Sequence, residues 1–136
     1  MKPAFVDTAG WMALADDADP AHARTGSFRD GWMRQGGLFV STDFVVDETL
    51  TLIRMRLGPD AAEKWWRQVE PSRRIIWERI DEERMEKARQ WFFRWRDKDF
   101  SFTDCTSFVV MKERRIVRAL TTDRHFAQAG FEIWPR

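Results

Sequence analysis

The stretch FSFTDCTSFVVMKERRIVRALTTD, residues 100–123, carries the clearest fold signal in the chain. Its first half predicts a helix near residues 103–114, and its second half predicts a strand over residues 117–121. The strand is a short apolar run that leads directly into Thr121, Thr122 and Asp123. A Ser, Thr or Asp after such a run is typical of the cap of a following helix. The stretch therefore indicates a buried strand set between two helices.

The same pattern occurs twice nearer the N-terminus. Residues 4–6 run into Asp7 and Thr8, and residues 38–40 run into Ser41, Thr42 and Asp43. Two further strands are predicted, at residues 74–77 and 131–134. Helices are predicted between the strands, with stops at Gly36-Gly37 and Gly58-Pro59, over residues 20–35, 43–57, 60–70 and 81–96.

This alternation of strands and helices predicts a three-layer α/β/α sandwich with a mainly parallel sheet of four to five strands. No repeat or long linker interrupts it, so we expect one domain over residues 1–136. In such sheets ligands bind beyond the carboxyl ends of the strands, near the point where the strand order reverses.

Four acids stand out against this frame. Asp7 and Asp123 follow apolar strands, and they share a crevice if those strands are neighbours. On the helix at 43–57, Glu48 aligns with an apolar stripe formed by Phe44, Val45, Thr51, Leu52 and Met55, whereas Asp47 aligns with more polar residues. Asp104 likewise aligns with an inward stripe, Ser107, Phe108 and Met111. A carboxylate on a buried face is costly unless something compensates its charge.

Each acid also has a structural explanation. Asp7 would cap a short helix at residues 10–15, although Thr8 or Ala9 is better placed for that role. Asp104 forms a Ser-x-x-Asp pattern with Ser101, which is close to a capping box. Asp123 would cap a short segment at residues 124–129, and Glu48 would pair with a buried arginine. These explanations hold singly, but four of them at once are much less expected.

Converging carboxylates repel one another strongly unless cations are present. Oxygen ligands with few imidazoles and no cluster of thiolates suit a hard ion, namely Mg²⁺ or Mn²⁺. Cys105 is the only cysteine, which excludes an intramolecular disulfide and a zinc site built on several thiolates. We expect Cys105 to be a small buried residue.

At these residues the chain resembles the PIN-domain ribonucleases, in particular a VapC-like bacterial branch. The resemblance rests on Phe5-Val-Asp-Thr-Ala, on Val46-Asp-Glu-Thr-Leu, on the stretch that begins at Phe100, and on Ala119-Leu-Thr-Thr-Asp-Arg-His-Phe. It spans nearly the whole chain. It implies that Asp7, Glu48, Asp104 and Asp123 are the acidic quartet that holds Mg²⁺ or Mn²⁺. It also implies that the hydroxyl groups of Thr8 and Thr103 bind or orient metal-bound water.

The resemblance implies metal-dependent hydrolysis of RNA phosphodiesters, a cognate antitoxin whose tail occupies the active-site groove, and a homodimer. Adjacent Trp65 and Trp66 point in different directions on a helix, so at least one is expected near the surface, where it hints at an antitoxin or dimer contact. Beside Asp123, Arg124 and His125 are candidate phosphate contacts, although His125 fits a packing or capping role better.

Bulk properties agree with this interpretation without deciding it. The net charge of +1 lacks the basic excess usual in nucleic-acid binders, so any grip on RNA depends on local patches such as Arg73-Arg74 or residues 112–118, which fit a solvated face equally well. The N-terminal apolar run is interrupted by Asp7 and followed by further acids. It fits neither a signal peptide nor a membrane span, so we expect a cytoplasmic protein.

Other functional classes fit less well. A haloacid-dehalogenase-type phosphatase needs a second Asp two residues after Asp7, where this chain has Ala9. A response-regulator receiver needs an acidic pair at the end of the first strand, and Asp7 stands alone. A PIN-fold binding module without catalysis and a DNA-directed nuclease of the same fold remain open alternatives.

Overall fold

The computed structural model describes residues 1–135. Its strands are β1 Ala4–Val6, β2 Phe39–Thr42, β3 Ile75–Glu78, β4 Arg118–Leu120 and β5 Glu132–Trp134. Its helices are α1 Thr8–Ala15, α2 His22–Arg34, α3 Asp43–Leu57, α4 Pro59–Val69, α5 Glu82–Arg94, α6 Phe102–Glu113 and α7 Arg124–Gln128. No helix within residues 1–135 has the length and apolar composition needed to cross a membrane.

The strands form one sheet in the order β3-β2-β1-β4-β5, and every pair is parallel. This confirms the predicted α/β class with a parallel sheet flanked by helices. β1 lies at the centre and pairs with β2 on one side and β4 on the other. The strand order therefore reverses beside β1, and the carboxyl ends of β1 and β4 meet at this switch point.

Several predicted boundaries were shifted. β2 begins at Phe39 and includes Ser41 and Thr42, while Leu38 lies outside it with 37 % of its surface exposed. Helix α3 ends at Leu57 before Gly58-Pro59, as predicted, while α4 begins at Pro59 rather than at residue 60, since its missing N–H is no loss in the first helical turn. Helix α5 ends at Arg94 rather than at residue 96.

Two groups of aromatic side chains pack the helices onto the sheet. Trp11 of α1 lies edge-on to Trp65 of α4 and is stacked on Trp77 of β3. Phe108 of α6 contacts Phe126 of α7, and both are fully buried. These contacts fix helices that begin or end beside the switch point.

Gly10 sets how closely α1 approaches the sheet. A Cβ atom built on it would lie 2.1 Å from the backbone oxygen of Leu120, which a rigid strand end cannot relieve. We therefore expect Gly10→Ala to lower the free energy of unfolding by about 1–3 kcal/mol. Gly26 of α2 is the matched control, because its Cβ would meet only Arg29 at 3.8 Å.

Gly26→Ala should instead raise the free energy of unfolding by about 0.5–1 kcal/mol, since alanine loses less entropy in a helix. Urea unfolding of both variants beside the wild type checks the pair. Equal stabilities for the two variants would contradict the close contact between α1 and β4.

Candidate active site

A crevice of about 260 Å³ opens at the carboxyl ends of β1 and β4, between α1, α3 and α6. We call it the acidic crevice. All of the predicted site residues line it: Asp7, Thr8, Glu48, Thr103, Asp104 and Asp123. β1 and β4 are direct neighbours, as the shared position of Asp7 and Asp123 requires. The topology therefore gathers residues that lie far apart in the sequence.

Asp7 lies at the bottom of the crevice and is 5 % exposed. Its Oδ1 accepts a hydrogen bond from the Gly10 N–H at 2.8 Å, and its Oδ2 accepts one from the Thr121 hydroxyl at 2.8 Å. Asp7 is thus the N-cap of α1, and the expectation that Thr8 or Ala9 was better placed was wrong, because the helix begins two residues earlier than predicted.

Burial raises the pKa of Asp7 to about 8, and the negative charges of Asp123 and Asp104 act in the same direction. The hydrogen bonds from Gly10 and Thr121 only partly offset these effects. A carboxyl group so placed binds a proton near neutral pH unless a cation replaces it.

Asp104 and Asp123 share an imidazole. The Nδ1 atom of His125 lies 3.0 Å from Oδ2 of Asp104 and 3.3 Å from Oδ1 of Asp123. The potential ligand atoms of the three side chains all lie within 4.8 Å of one another, the one such cluster within residues 1–135. His125 also lies edge-on to Phe100, at 5.7 Å between ring centroids, which fixes the ring that bridges the two acids.

Both acids also hold helix ends. Asp104 completes a capping box with Ser101, whose hydroxyl accepts the Asp104 N–H while Oδ2 of Asp104 accepts the Ser101 N–H. Asp123 is the N-cap of α7. The structural explanations were therefore correct in geometry. These structural roles still leave an oxygen atom for another ligand. Ser101 and His125 both contact Oδ2 of Asp104 rather than Oδ1. Burial raises the pKa of Asp104, and the charge of Asp123 adds to that effect.

Glu48 faces the crevice from α3, whereas Asp47 is exposed, as predicted. The predicted apolar stripe was only partly right. The fully buried row of α3 is Val45, Thr49 and Ile53, while Met55 is 75 % exposed. Glu48 lies beside that row and is half-buried, so its charge is less costly than on a core face. Among residues 1–135 it has no arginine partner.

Hydroxyl groups complete the walls. Thr49 donates a hydrogen bond to the Thr8 hydroxyl at 3.3 Å, and both residues are buried. Thr103 is half-buried on the opposite wall. Ser107 lines the crevice one helical turn after Asp104, is 1 % exposed, and its Oγ has no hydrogen-bond partner among the described residues. An orphaned buried hydroxyl points to a polar species that occupies the crevice.

This donor set fits a hard divalent cation. It offers carboxylate and hydroxyl oxygens with one imidazole, and no thiolate takes part. Cys105 is buried beside Asp104, and this burial, together with the Asp104 charge, raises the pKa of its thiol to about 12. Asp7, Asp104 and Asp123 would hold a Mg²⁺ or Mn²⁺ ion, with Glu48 at the crevice wall.

Sequence reasoning did not assign Thr121 or Ser107 to this site, and it favoured packing or capping over a phosphate contact for His125. Thr121 donates to Asp7 and accepts the Asp123 N–H at 2.8 Å, so it ties two of the acids together. The sequence feature that identifies Thr121 is its position directly after β4, from which its hydroxyl reaches the carboxyl ends of both β1 and β4. His125 was expected to pack or cap, and its contact with Asp104 depends on a separation of 21 residues that no local pattern reveals.

We expect Thr121→Val to lower the free energy of unfolding by about 1–3 kcal/mol, because the buried Asp7 carboxyl group and the partly buried Asp123 N–H lose their partner. Adjacent Thr122 is exposed, and Thr122→Val is the matched control with little expected effect. Thermal unfolding of both variants checks the prediction. An unchanged Thr121→Val protein would mean that this hydroxyl does not organise the crevice.

Comparison with known proteins agrees with this geometry. A family profile described as "PIN domain" matches residues 4–132. The "23S rRNA-specific endonuclease VapC20" of Mycobacterium tuberculosis, in strains CDC 1551 and H37Rv, is 33 % identical over 132 residues, which cover 96 % of this chain and 98 % of the relative.

Solved structures give the same result. The crystal structure of Mycobacterium tuberculosis VapC20, described as a "Sarcin-Ricin loop cleaving toxin", superposes with a TM-score of 0.85 at 31 % identity, over 93 % of this chain and 95 % of that one. FitAcB from Neisseria gonorrhoeae superposes with a TM-score of 0.64 at 15 % identity, over 95 % and 94 % of the two chains, which shows a shared fold alone.

Proposed function

The chain belongs to the PIN-domain family, and on that premise we propose that it is a metal-dependent endoribonuclease, the toxin of a toxin–antitoxin pair. One observation carries the proposal: Asp7, Glu48, Asp104 and Asp123 line one crevice at the switch point of the sheet. We further propose that residues 1–136 form a single PIN domain.

In the proposed mechanism the protein supplies charge and position. Asp7, Asp104 and Asp123 would hold a Mg²⁺ or Mn²⁺ ion, which would supply positive charge against the phosphate and lower the pKa of water. Asp7, held by Gly10 and Thr121, offers a carboxylate in a fixed orientation. His125 positions Asp104 against Asp123. Thr8, Thr103 and Ser107 supply hydroxyls that orient water beside the scissile phosphate.

We propose ribosomal RNA as the substrate class. The support is the 33 % identity, over nearly the full length of both chains, to a relative described as specific for 23S rRNA. Such a substrate places the activity in the cytoplasm. Loops that present unpaired nucleotides suit a single narrow crevice better than a duplex does, because the scissile phosphate must reach buried acids.

We also propose a cognate antitoxin as partner. A cleft of about 610 Å³ lies between α1, α2 and α4, with Trp11, Met33 and Trp65 in its walls. Apolar and aromatic walls of this kind suit the apolar side chains of a partner segment, and Trp65 contributes its ring to them. Of the two adjacent tryptophans, Trp65 is buried and lines the cleft, whereas Trp66 is half-buried and lies outside its lining.

Trp65→Phe, which removes the indole N–H together with part of the ring that lines the cleft, should weaken a co-purified complex with the protein encoded beside this gene. If the variant forms the complex with unchanged affinity, the antitoxin does not bind in this cleft. A homodimer remains part of the proposal, and light scattering of the purified chain tests it.

The function is tested by induced expression in bacteria, with wild type beside Asp7→Asn. We expect growth arrest with discrete RNA fragments for the wild type and neither effect for the variant. Normal growth and intact RNA from folded, wild-type protein would favour a non-catalytic PIN-fold module. Matched RNA and DNA oligonucleotides then separate the ribonuclease from a DNA-directed nuclease of the same fold.

A further inference from the structure

The segment between α5 and α6 exposes an unusual set of side chains. Phe92, Phe93 and Trp95 are 40 %, 63 % and 42 % exposed, and Arg94 and Arg96 are interleaved with them. We call these five residues the aromatic–basic patch. All of them except Arg94 line an open recess of about 520 Å³, together with Lys98, Asp99 and Phe100. Large apolar side chains grouped at a surface usually mark a contact site.

A row of aromatic rings leads from the patch to the two helices that carry Glu48 and Asp104. The ring centroid of Phe93 lies 5.7 Å from that of Phe92, which lies 5.9 Å from that of Phe102. Phe102 in turn lies 6.3 Å from Phe44. Phe102 comes two residues before Asp104, and Phe44 comes four residues before Glu48 on the same helix. The row of rings therefore runs from solvent to a point between the two helices that carry these acids.

Charge selects the kind of partner. The Arg94 guanidinium lies 5.8 Å from the Trp95 ring, and within residues 1–135 neither Arg94 nor Arg96 forms an ion pair. Lys98 lies 3.7 Å from Asp97, so it is partly neutralised. A second copy of this surface would bring two further arginines together with the exposed Asp97 and Asp99, whereas a phosphate backbone supplies anions alone.

The geometry points to a docking platform for single-stranded RNA: the aromatic–basic patch stacks an unpaired base next to the scissile phosphate, which the acidic crevice holds. This inference rests on the proposed ribonuclease function. Unpaired bases offer ring faces to aromatic side chains and arginine planes, which bases inside a duplex do not. Phe92 lies edge-on to Phe102, at 83°, and is already engaged by that contact, so we assign the stacking to the exposed Phe93 and Trp95.

The test measures binding separately from cleavage. Fluorescence anisotropy of a labelled, unstructured RNA of about 12 nucleotides in EDTA gives Kd for the full chain without hydrolysis. We expect Phe93→Ala and Trp95→Ala each to raise Kd roughly 5- to 100-fold, while Phe93→Trp keeps it. Val117→Ala is the matched control, because Val117 is 59 % exposed and lies outside the patch. Its Kd should equal that of the wild type.

Salt dependence tests the arginines. Replacing Arg94 and Arg96 by Gln should reduce the slope of log Kd against log salt by roughly 0.7 for each phosphate that the variant no longer neutralises. Hydrolysis of bis(p-nitrophenyl) phosphate, which is too small to span both sites, should be unchanged in every patch variant.

The outcomes separate this inference from the proposed function. A wild-type chain that binds RNA through Phe93 and yet hydrolyses nothing with Mg²⁺ or Mn²⁺ would support the docking platform and contradict the proposed nuclease function. Unchanged Kd in both Phe93→Ala and Trp95→Ala would overturn the platform. So would light scattering that shows Phe93→Ala splitting a dimer while Kd per chain stays constant, since the patch would then be an interface between two copies.

Discussion

Asp7→Asn should abolish RNA cleavage while it makes the metal-free protein more stable. The substitution removes a ligand charge, and we expect the cleavage rate to fall by at least about 100-fold. The fold should persist, because the amide oxygen can still accept the Gly10 N–H that caps α1. Quantitative primer extension on cleaved RNA measures the rate.

The stability gain has a defined pH dependence. The carboxyl group of Asp7 has an ordinary pKa of 3.8 in the unfolded chain and one of about 8 in the folded chain. The folded state therefore holds the proton more tightly, and its stability falls as pH rises through this range. Asparagine mimics the protonated form. The Tm advantage of the variant should be absent below about pH 4 and should be complete above about pH 8.

Thermal unfolding in EDTA across this pH range checks the sign. A variant that is less stable than the wild type at the alkaline end of the range would contradict the buried, proton-binding carboxyl group. Retained cleavage would remove Asp7 from the site altogether.

Glu48→Gln and Asp47→Asn form a second, matched test, because the two acids are adjacent on α3 but only Glu48 faces the crevice. Glu48→Gln should lower the cleavage rate about 100-fold and weaken Mn²⁺ binding measured by calorimetry. Asp47→Asn should leave both within about twofold, since surface substitutions of this kind cost little.

The stability of Glu48→Gln discriminates between roles. Glu48 is half-buried and, among residues 1–135, has no arginine partner, so its neutralisation should change Tm little or raise it slightly. A clear loss of Tm without metal would indicate a structural ion pair instead. A large activity loss in Asp47→Asn would mean that the wrong acid has been assigned.

The sequence was most informative where local chemistry and topology coincide. Apolar runs that end in Asp7 or Asp123 predicted both strands and their acids, because parallel strands bring their carboxyl ends to one edge. The period of α3 separated Glu48 from Asp47. The same period wrongly placed Met55 on the buried face of α3. The residues of a long helix that lie over the core depend on where the helix leaves the sheet.

Contacts between distant segments could not be predicted. The hydroxyl of Thr121 reaches Asp7 across 114 residues, and the imidazole of His125 reaches Asp104 across 21. The basic residues near 112–118 were left open between RNA contact and solvated surface. Arg114 pairs with Glu78 and Arg118 pairs with Glu132, so much of that charge is already neutralised within the chain.

A metal-dependent ribonuclease site in the acidic crevice is tested most directly by incubating the purified wild-type chain with protein-free ribosomal RNA, first in EDTA and then in increasing Mn²⁺ or Mg²⁺. We predict that discrete fragments accumulate only with the metal, and that Glu48→Gln needs a higher metal concentration to produce them. Intact RNA at every metal concentration, or the same fragments in EDTA, would contradict such a site.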